Sequence, residues 1–140
     1  MILREGQIIG MIDHDSELGY WLDPRFWGRG LMVEAAHAVL TAYFNHPDAA
    51  PMWSGYITGN TRSAALLHRV GFSTSGVVTQ HNSRALRAVV NIRQMILSPE
   101  QWHAVNPVEI TTPRVRAYAP CDPLTCLIWC AFQAMIRWHQ

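Results

Sequence analysis

The chain has 140 residues, 49% hydrophobic and 15% charged, which is long enough for one globular core and too short for two. Its formal charge of +1 gives no electrostatic footprint for DNA or RNA, and no basic run tracks one helix face. The longest apolar run, LTCLIWCAFQAMIRW, is interrupted by Gln133 and falls short of the roughly 20 residues that a membrane span requires.

Its three cysteines, Cys121, Cys126 and Cys130, lie in the last twenty residues with no C-x-x-C pair. That spacing suits neither a disulfide framework nor a zinc site and favours a reducing compartment. With no basic segment leading into an apolar one at the N-terminus, the expected location is the cytoplasm.

In chain order, GQIIGMID (residues 6–13) and ELGYWLD (17–23) are short apolar runs separated by the turn-prone DHDS, which predicts two neighbouring strands. Leu18, Tyr20 and Leu22 then share one face of the second strand, with Gly19 and Trp21 on the other. After Pro24 and the glycines of RFWGRG (25–30), apolar residues spread round positions 31–44 predict a largely buried helix. NHPDAAP breaks it, and MWSGYI (52–57) resumes as a strand.

NTRSAALLHRVGF (60–72) predicts a helix capped by Asn60 and closed by Gly71, the residue types preferred at those ends. GVVTQ (76–80) and AVVNIRQMIL (88–97) predict a closing pair of strands. SPEQW (98–102) carries a serine cap, a proline suited to the first helical position and a glutamine that completes a capping box, so a short helix should begin at Pro99. The predicted order of strand, strand, glycine turn, helix, strand, helix, strand, strand is an α/β arrangement.

The glycine turn raises a chemical question. A helix N-terminus carries unsatisfied N–H groups and about half a positive elementary charge, so it binds phosphate where the backbone is bare enough to approach. Gly28 and Gly30 leave it bare, and Arg25 and Arg29 add positive charge for the same anion. Turn geometry alone also accounts for a glycine pair.

GYWLDPRFWGRGLMVEA, NTRSAALLHRVGF and MILSPEQW, in that order and at that spacing, resemble the GNAT superfamily of acyl-CoA-dependent N-acetyltransferases. The resemblance is to the branch that includes the ribosomal-protein N-terminal alanine acetyltransferases, and it runs from about Gln7 to Trp102. It implies a mixed, mostly antiparallel sheet with flanking helices. It also implies that backbone amides of Trp27, Gly28, Arg29, Gly30 and Leu31 hold the pyrophosphate of acetyl-CoA, and that the Leu22 amide polarises the thioester carbonyl. Asn60 would contact the pantetheine arm, with Ser63 one helical turn on, and Phe72 would follow the helix that packs beside the cofactor.

The implied reaction is attack of a primary amine, on a protein N-terminus or a small molecule, at the acetyl thioester. An amine near its solution pKa is mostly protonated at neutral pH, so a base must remove a proton first. Glu17 is the first candidate, with His14 and Asp13 behind it. Many relatives place a tyrosine acid at the position that Leu67 fills here, which leaves Ser63 as the candidate relay to the leaving thiolate. His68, adjacent to Leu67, faces another direction on the helical wheel, and His37 reads as a packing residue.

Relatives normally begin with a strand and two helices that form much of the acceptor pocket, whereas this sequence opens at MILREGQIIG; the expectation is that those elements are missing. Residues 1–106 form the acetyl-CoA-binding unit on this reading. Residues 107–140 read as a proline-spaced linker and an apolar helix, Leu124–Trp138, that could cover apolar surface or mediate a homodimer. The partners implied are acetyl-CoA and an amine, with no nucleic acid, membrane or metal. A second reading is a non-catalytic acyl-CoA-binding module, and a third is a fragment with no independent function.

Overall fold

The computed structural model describes residues 1–15, 17–84 and 86–106, together with the backbone of 116–117. The candidate helix Leu124–Trp138 and the three cysteines lie outside the described residues. Strands β1 (Ile2–Arg4), β2 (Gln7–Asp13) and β3 (Gly19–Leu22) precede helix α1 (Leu31–Phe44). Strand β4 (Met52–Ile57), helix α2 (Thr61–Arg69), strands β5 (Ser73–Ser83) and β6 (Ala88–Leu97) and helix α3 (Pro99–Val105) follow. A two-residue strand, β7 (Arg116–Ala117), falls inside the stretch read from sequence as a linker.

These strands form two antiparallel sheets, in the orders β3-β2-β1-β7 and β4-β6-β5. The mixed α/β, mostly antiparallel architecture predicted from sequence is therefore present. Strand β1 was not anticipated, although its cause is local. Glu5 and Gly6, at φ 51° and 78°, make a two-residue reversal that pairs Arg4 with Gln7, and left-handed backbone at both central positions is what a tight hairpin of this twist requires.

On α1, the residues that become buried are Leu31, Met32, Ala35, Ala36, Leu40 and Phe44, one helical stripe. Ala42 is exposed, so the helix is buried on one side and not all round. The stripe meets Ile2 and Ile9 from the first sheet and Met95, Leu97 and Trp102 from the second half of the chain. Each fully buried Leu, Ile or Phe of this kind contributes about 1.5–3 kcal/mol.

Local chemistry fixes the two shorter helices as anticipated. The Asn60 side chain accepts the Ser63 amide at 3.2 Å. At the other end the amides of Gly71 and Phe72 return to the carbonyls of His68 and Leu67. This closure needs left-handed backbone at Gly71, which has φ 103°. On α3, Ser98 and Gln101 complete the reciprocal capping box, with Pro99 in the first turn.

The two sheets touch at one seam. The Leu18 amide donates to the Trp53 carbonyl at 2.7 Å, and the buried Ser54 hydroxyl donates to the Leu18 carbonyl at 2.8 Å. Beyond it β3 and β4 belong to different sheets, one leading into the glycine turn and α1, the other into α2. A cleft lies between β3, the glycine turn, the start of α1 and α2.

Candidate functional site

A cleft of about 560 Å³ lies between Tyr20–Leu22 of β3, the glycine turn, the first turn of α1 and one face of α2. That volume is within the range of small-molecule sites.

Strand parity decides which backbone groups face the cleft. The Asp23 amide donates to the Ile9 carbonyl at 2.8 Å, so these two form a hydrogen-bonded pair of the antiparallel ladder. Paired residues alternate, so Gly10↔Leu22 and Ile12↔Tyr20 are non-hydrogen-bonded pairs whose β3 members turn their N–H and C=O groups away from β2. The seam at Leu18 obeys the same parity. As β3 is an edge strand, the Tyr20 and Leu22 amides are directed outward, on the cleft side. Gly10 allows this strand to lie close, since a Cβ there would come within 2.5 Å of the Trp21 carbonyl oxygen.

After Leu22 the chain makes a 3-10 turn at Pro24–Phe26 and reaches Gly28 and Gly30 at φ 70° and 74°. Gly30 is the N-cap of α1 and supplies no side chain to it, and the first helical bond runs from Glu34 N–H to the Gly30 carbonyl. The amides of Leu31, Met32 and Val33 therefore end the helix without intrahelical partners, at the cleft wall. A Cβ built on Gly28 would meet nothing within 4 Å, so the space over the turn is open. The Trp27 indole N–H donates to the Leu22 carbonyl at 2.6 Å and ties the turn to the strand end.

Helix α2 presents Arg62, Ser63, Leu66 and Arg69 to the cleft, at the spacing of one helical face. Leu67, one helical turn beyond Ser63, does not line the cleft and is fully buried. The Tyr20 phenol and the Ser63 hydroxyl form a 2.5 Å hydrogen bond across the cleft. Burial pushes the Tyr20 phenol up to about 12, partly offset by that bond, so at neutral pH it carries its proton.

Leu22, Trp27, Gly28, Gly30, Leu31, Asn60 and Ser63 are thus brought together on the cleft wall. Four expected residues are not. Arg25 is exposed and bound to Asp23 through three hydrogen bonds, which spends its charge locally. Arg29 is exposed, with its guanidinium 5.6 Å from the Phe26 ring centre. Phe72 is drawn into the core by the α2 closure and is 2% exposed. Glu17 is exposed, in the bend before β3, and does not line the cleft.

Arg62, Arg69 and the Tyr20 phenol were missed as site residues. The seven-residue interval between the arginines, two helical turns, was the available signal for the first two. His37 packs against Trp102, with ring centres 5.5 Å apart; burial, helped by the Arg69 charge, holds it below the ordinary imidazole range. His68 is exposed. Among the described residues no group of three His, Cys, Asp or Glu is arranged to hold a metal, and no helix is long and apolar enough to cross a membrane.

Known proteins share this fold. The chain is similar to YdaF of Bacillus subtilis (strain 168), provisionally named a ribosomal N-acetyltransferase, with 28% identity over 83 residues, 54% of this chain and 45% of that protein. Its fold is similar to that of the ribosomal-protein-S5-alanine acetyltransferase of Vibrio fischeri, with a TM-score of 0.63 and 22% identity over 70% of this chain and 58% of that one. It is also similar to the microcin C7 self-immunity acetyltransferase MccE, solved in complex with acetyl-CoA and AMP, with a TM-score of 0.59 and 23% identity over 70% of this chain and 60% of that one. The chain spans about half the length of the curated relative it matches. Residues 1–73, which include β3, the glycine turn, α1 and α2, match the acetyltransferase (GNAT) domain, and the chain belongs to that family.

Proposed function

We propose that the chain binds acetyl-CoA in this cleft and transfers the acetyl group to a primary amine. The observation that carries this reading is the glycine turn: bare left-handed backbone at Gly28 and Gly30 opens the free amides of α1 onto a cleft whose other wall is the outward edge of β3. A diphosphate suits the helix end, which combines N–H donors with a positive dipole. Arg62 and Arg69 add charge to the wall.

Asn60 and the α2 face flank the acyl arm on this reading. The outward amides of Tyr20 and Leu22 are preorganised donors for the charge that develops on the thioester oxygen as the amine adds. Ser63 stands across from them and serves the departing sulfur. Glu17, outside the wall, receives the amine proton through water.

A second reading, a non-catalytic acyl-CoA-binding module, is favoured by one feature: no carboxylate lines the cleft. Calorimetry with acetyl-CoA and turnover across an amine panel separate the two. Binding with transfer supports the first, binding alone the second, and absence of binding overturns both. Glu17→Gln should lower transfer at neutral pH and recover as pH rises and free amine forms unaided; an unchanged profile removes Glu17 from the reaction.

A further inference from the structure

We infer that Tyr20 is a positioning residue for Ser63: its phenol donates to Ser63 Oγ and so turns the serine O–H into the cleft, toward the sulfur of bound CoA. This rests on the proposed acyl-CoA reading of the cleft.

Two residues 43 positions apart, on β3 and α2, make this 2.5 Å bond where the two halves have parted. Either oxygen has the valence to donate, and acid strength decides between them. A phenol is a far stronger acid than an aliphatic alcohol, so the phenol donates and the serine oxygen accepts. The phenol also lies 3.3 Å from the Ser63 carbonyl, the longer of its two contacts with that residue.

With its lone pairs engaged, Ser63 keeps its proton for another partner. Among the described residues Ser63 Oγ has the Tyr20 phenol as its hydrogen-bond partner and none on its own helix. The Ser63 backbone is itself fixed by the bond from its amide to Asn60 Oδ1. The hydroxyl lies on the cleft wall.

The chemistry required is hydrogen bonding and not proton transfer. When the C–S bond breaks, its electron pair stays on sulfur. A thiol ionises near about 8.5, whereas Tyr20 holds its proton to about 12, so passing a proton from the phenol to the thiolate is uphill by several units. The Ser63 O–H therefore stabilises the thiolate charge while the proton stays on the serine oxygen, and the thiolate is protonated later by water. Leu67 supplies no hydroxyl and is buried in the core, so Ser63 is the hydroxyl that the α2 wall offers the sulfur.

The test titrates the thiol of protein-bound CoA by its thiolate ultraviolet absorption, with desulfo-CoA as the blank. The parent chain, Tyr20→Phe, Ser63→Ala and the double variant are compared. In the parent, the bound thiol should ionise about one pKa unit below free CoA, as expected for one hydrogen bond to a charged group. Each single substitution should abolish most of that shift, and the double variant should match Ser63→Ala, because Tyr20 acts only through the serine.

A full parent shift in Tyr20→Phe overturns the proposal, as does a double variant that moves beyond Ser63→Ala. A purely structural tyrosine would change the thermal midpoint and leave the thiol titration alone. No shift in the parent, or a shift surviving in Ser63→Ala, overturns it while leaving CoA binding intact; no CoA binding removes the underlying reading instead. If Tyr20→Phe does not fold, 3-fluorotyrosine at position 20, a stronger donor, should lower the bound thiol further, and no movement overturns the proposal.

Discussion

The Arg62 guanidinium lies 4.8 Å from the centre of the Trp27 ring, and the same indole donates its N–H to the Leu22 carbonyl at 2.6 Å. One side chain from the glycine turn thus holds the end of β3 with its edge and a cation from α2 with its face. Both the turn and the arginine border the proposed diphosphate site.

Removing that cation should weaken CoA binding. Arg62→Gln loses a partly exposed cation–π contact of about 0.5–1 kcal/mol and a positive charge beside the anion. Calorimetry at low salt should show roughly a three- to tenfold weaker Kd, with the difference shrinking as salt screens the charge. Equal Kd values at low salt would place the anion elsewhere.

Gly28→Ala and Gly6→Ala form a matched pair. Their φ values are 70° and 78°, and a Cβ at either position meets nothing within 4 Å. Each substitution should therefore cost about 1–2 kcal/mol of stability through backbone strain alone. Only Gly28→Ala should also weaken CoA, since Gly6 lies in the β1–β2 turn and not on the cleft wall. Thermal melts with and without CoA provide both readouts.

The local features of the fold were legible in the sequence because short-range chemistry sets them. The Asn60 cap, the Gly71 closure and the Ser98–Gln101 box follow from side chains within a few residues of the backbone groups that they satisfy. Strand β5 was read as residues 76–80 and runs from Ser73 to Ser83; its middle, residues 76–82, is exposed on both faces, and its polar ends show no apolar alternation. The Tyr20–Ser63 bond and the Trp27–Arg62 stack were not legible, since both depend on where β3 and α2 come to lie. The Arg25–Asp23 ion pair was not anticipated, although the two residues lie only two positions apart.

Tyr20 should leave a mark on alkaline stability. The folded chain holds the phenolic proton up to about 12, against 10.0 for the free group. Its contribution is therefore fully present below pH 10 and is lost as pH rises from 10 to about 12, by an amount on the order of 2–3 kcal/mol. Denaturant melts across that window should show the decline, and Tyr20→Phe should flatten it.

Installing a tyrosine at position 67 should fail to supply an acid. Leu67 is completely buried among the core residues and does not line the cleft. Leu67→Tyr should overpack the core and cost about 1–3 kcal/mol, visible as a lower thermal midpoint, with no gain in acetyl transfer. Leu67→Ala should cost about 2–5 kcal/mol through the cavity it leaves.

The parity of β3 also writes an alternating deuterium-exchange pattern along a single strand. Amides of Gly19, Trp21 and Asp23 point into the ladder with β2, while those of Tyr20 and Leu22 point out of it. The first set is shielded by the fold itself and the second only by whatever occupies the cleft. A ligand lying along this edge therefore leaves its footprint on every other residue, so exchange at Tyr20 and Leu22 maps how far the occupant reaches toward Leu18.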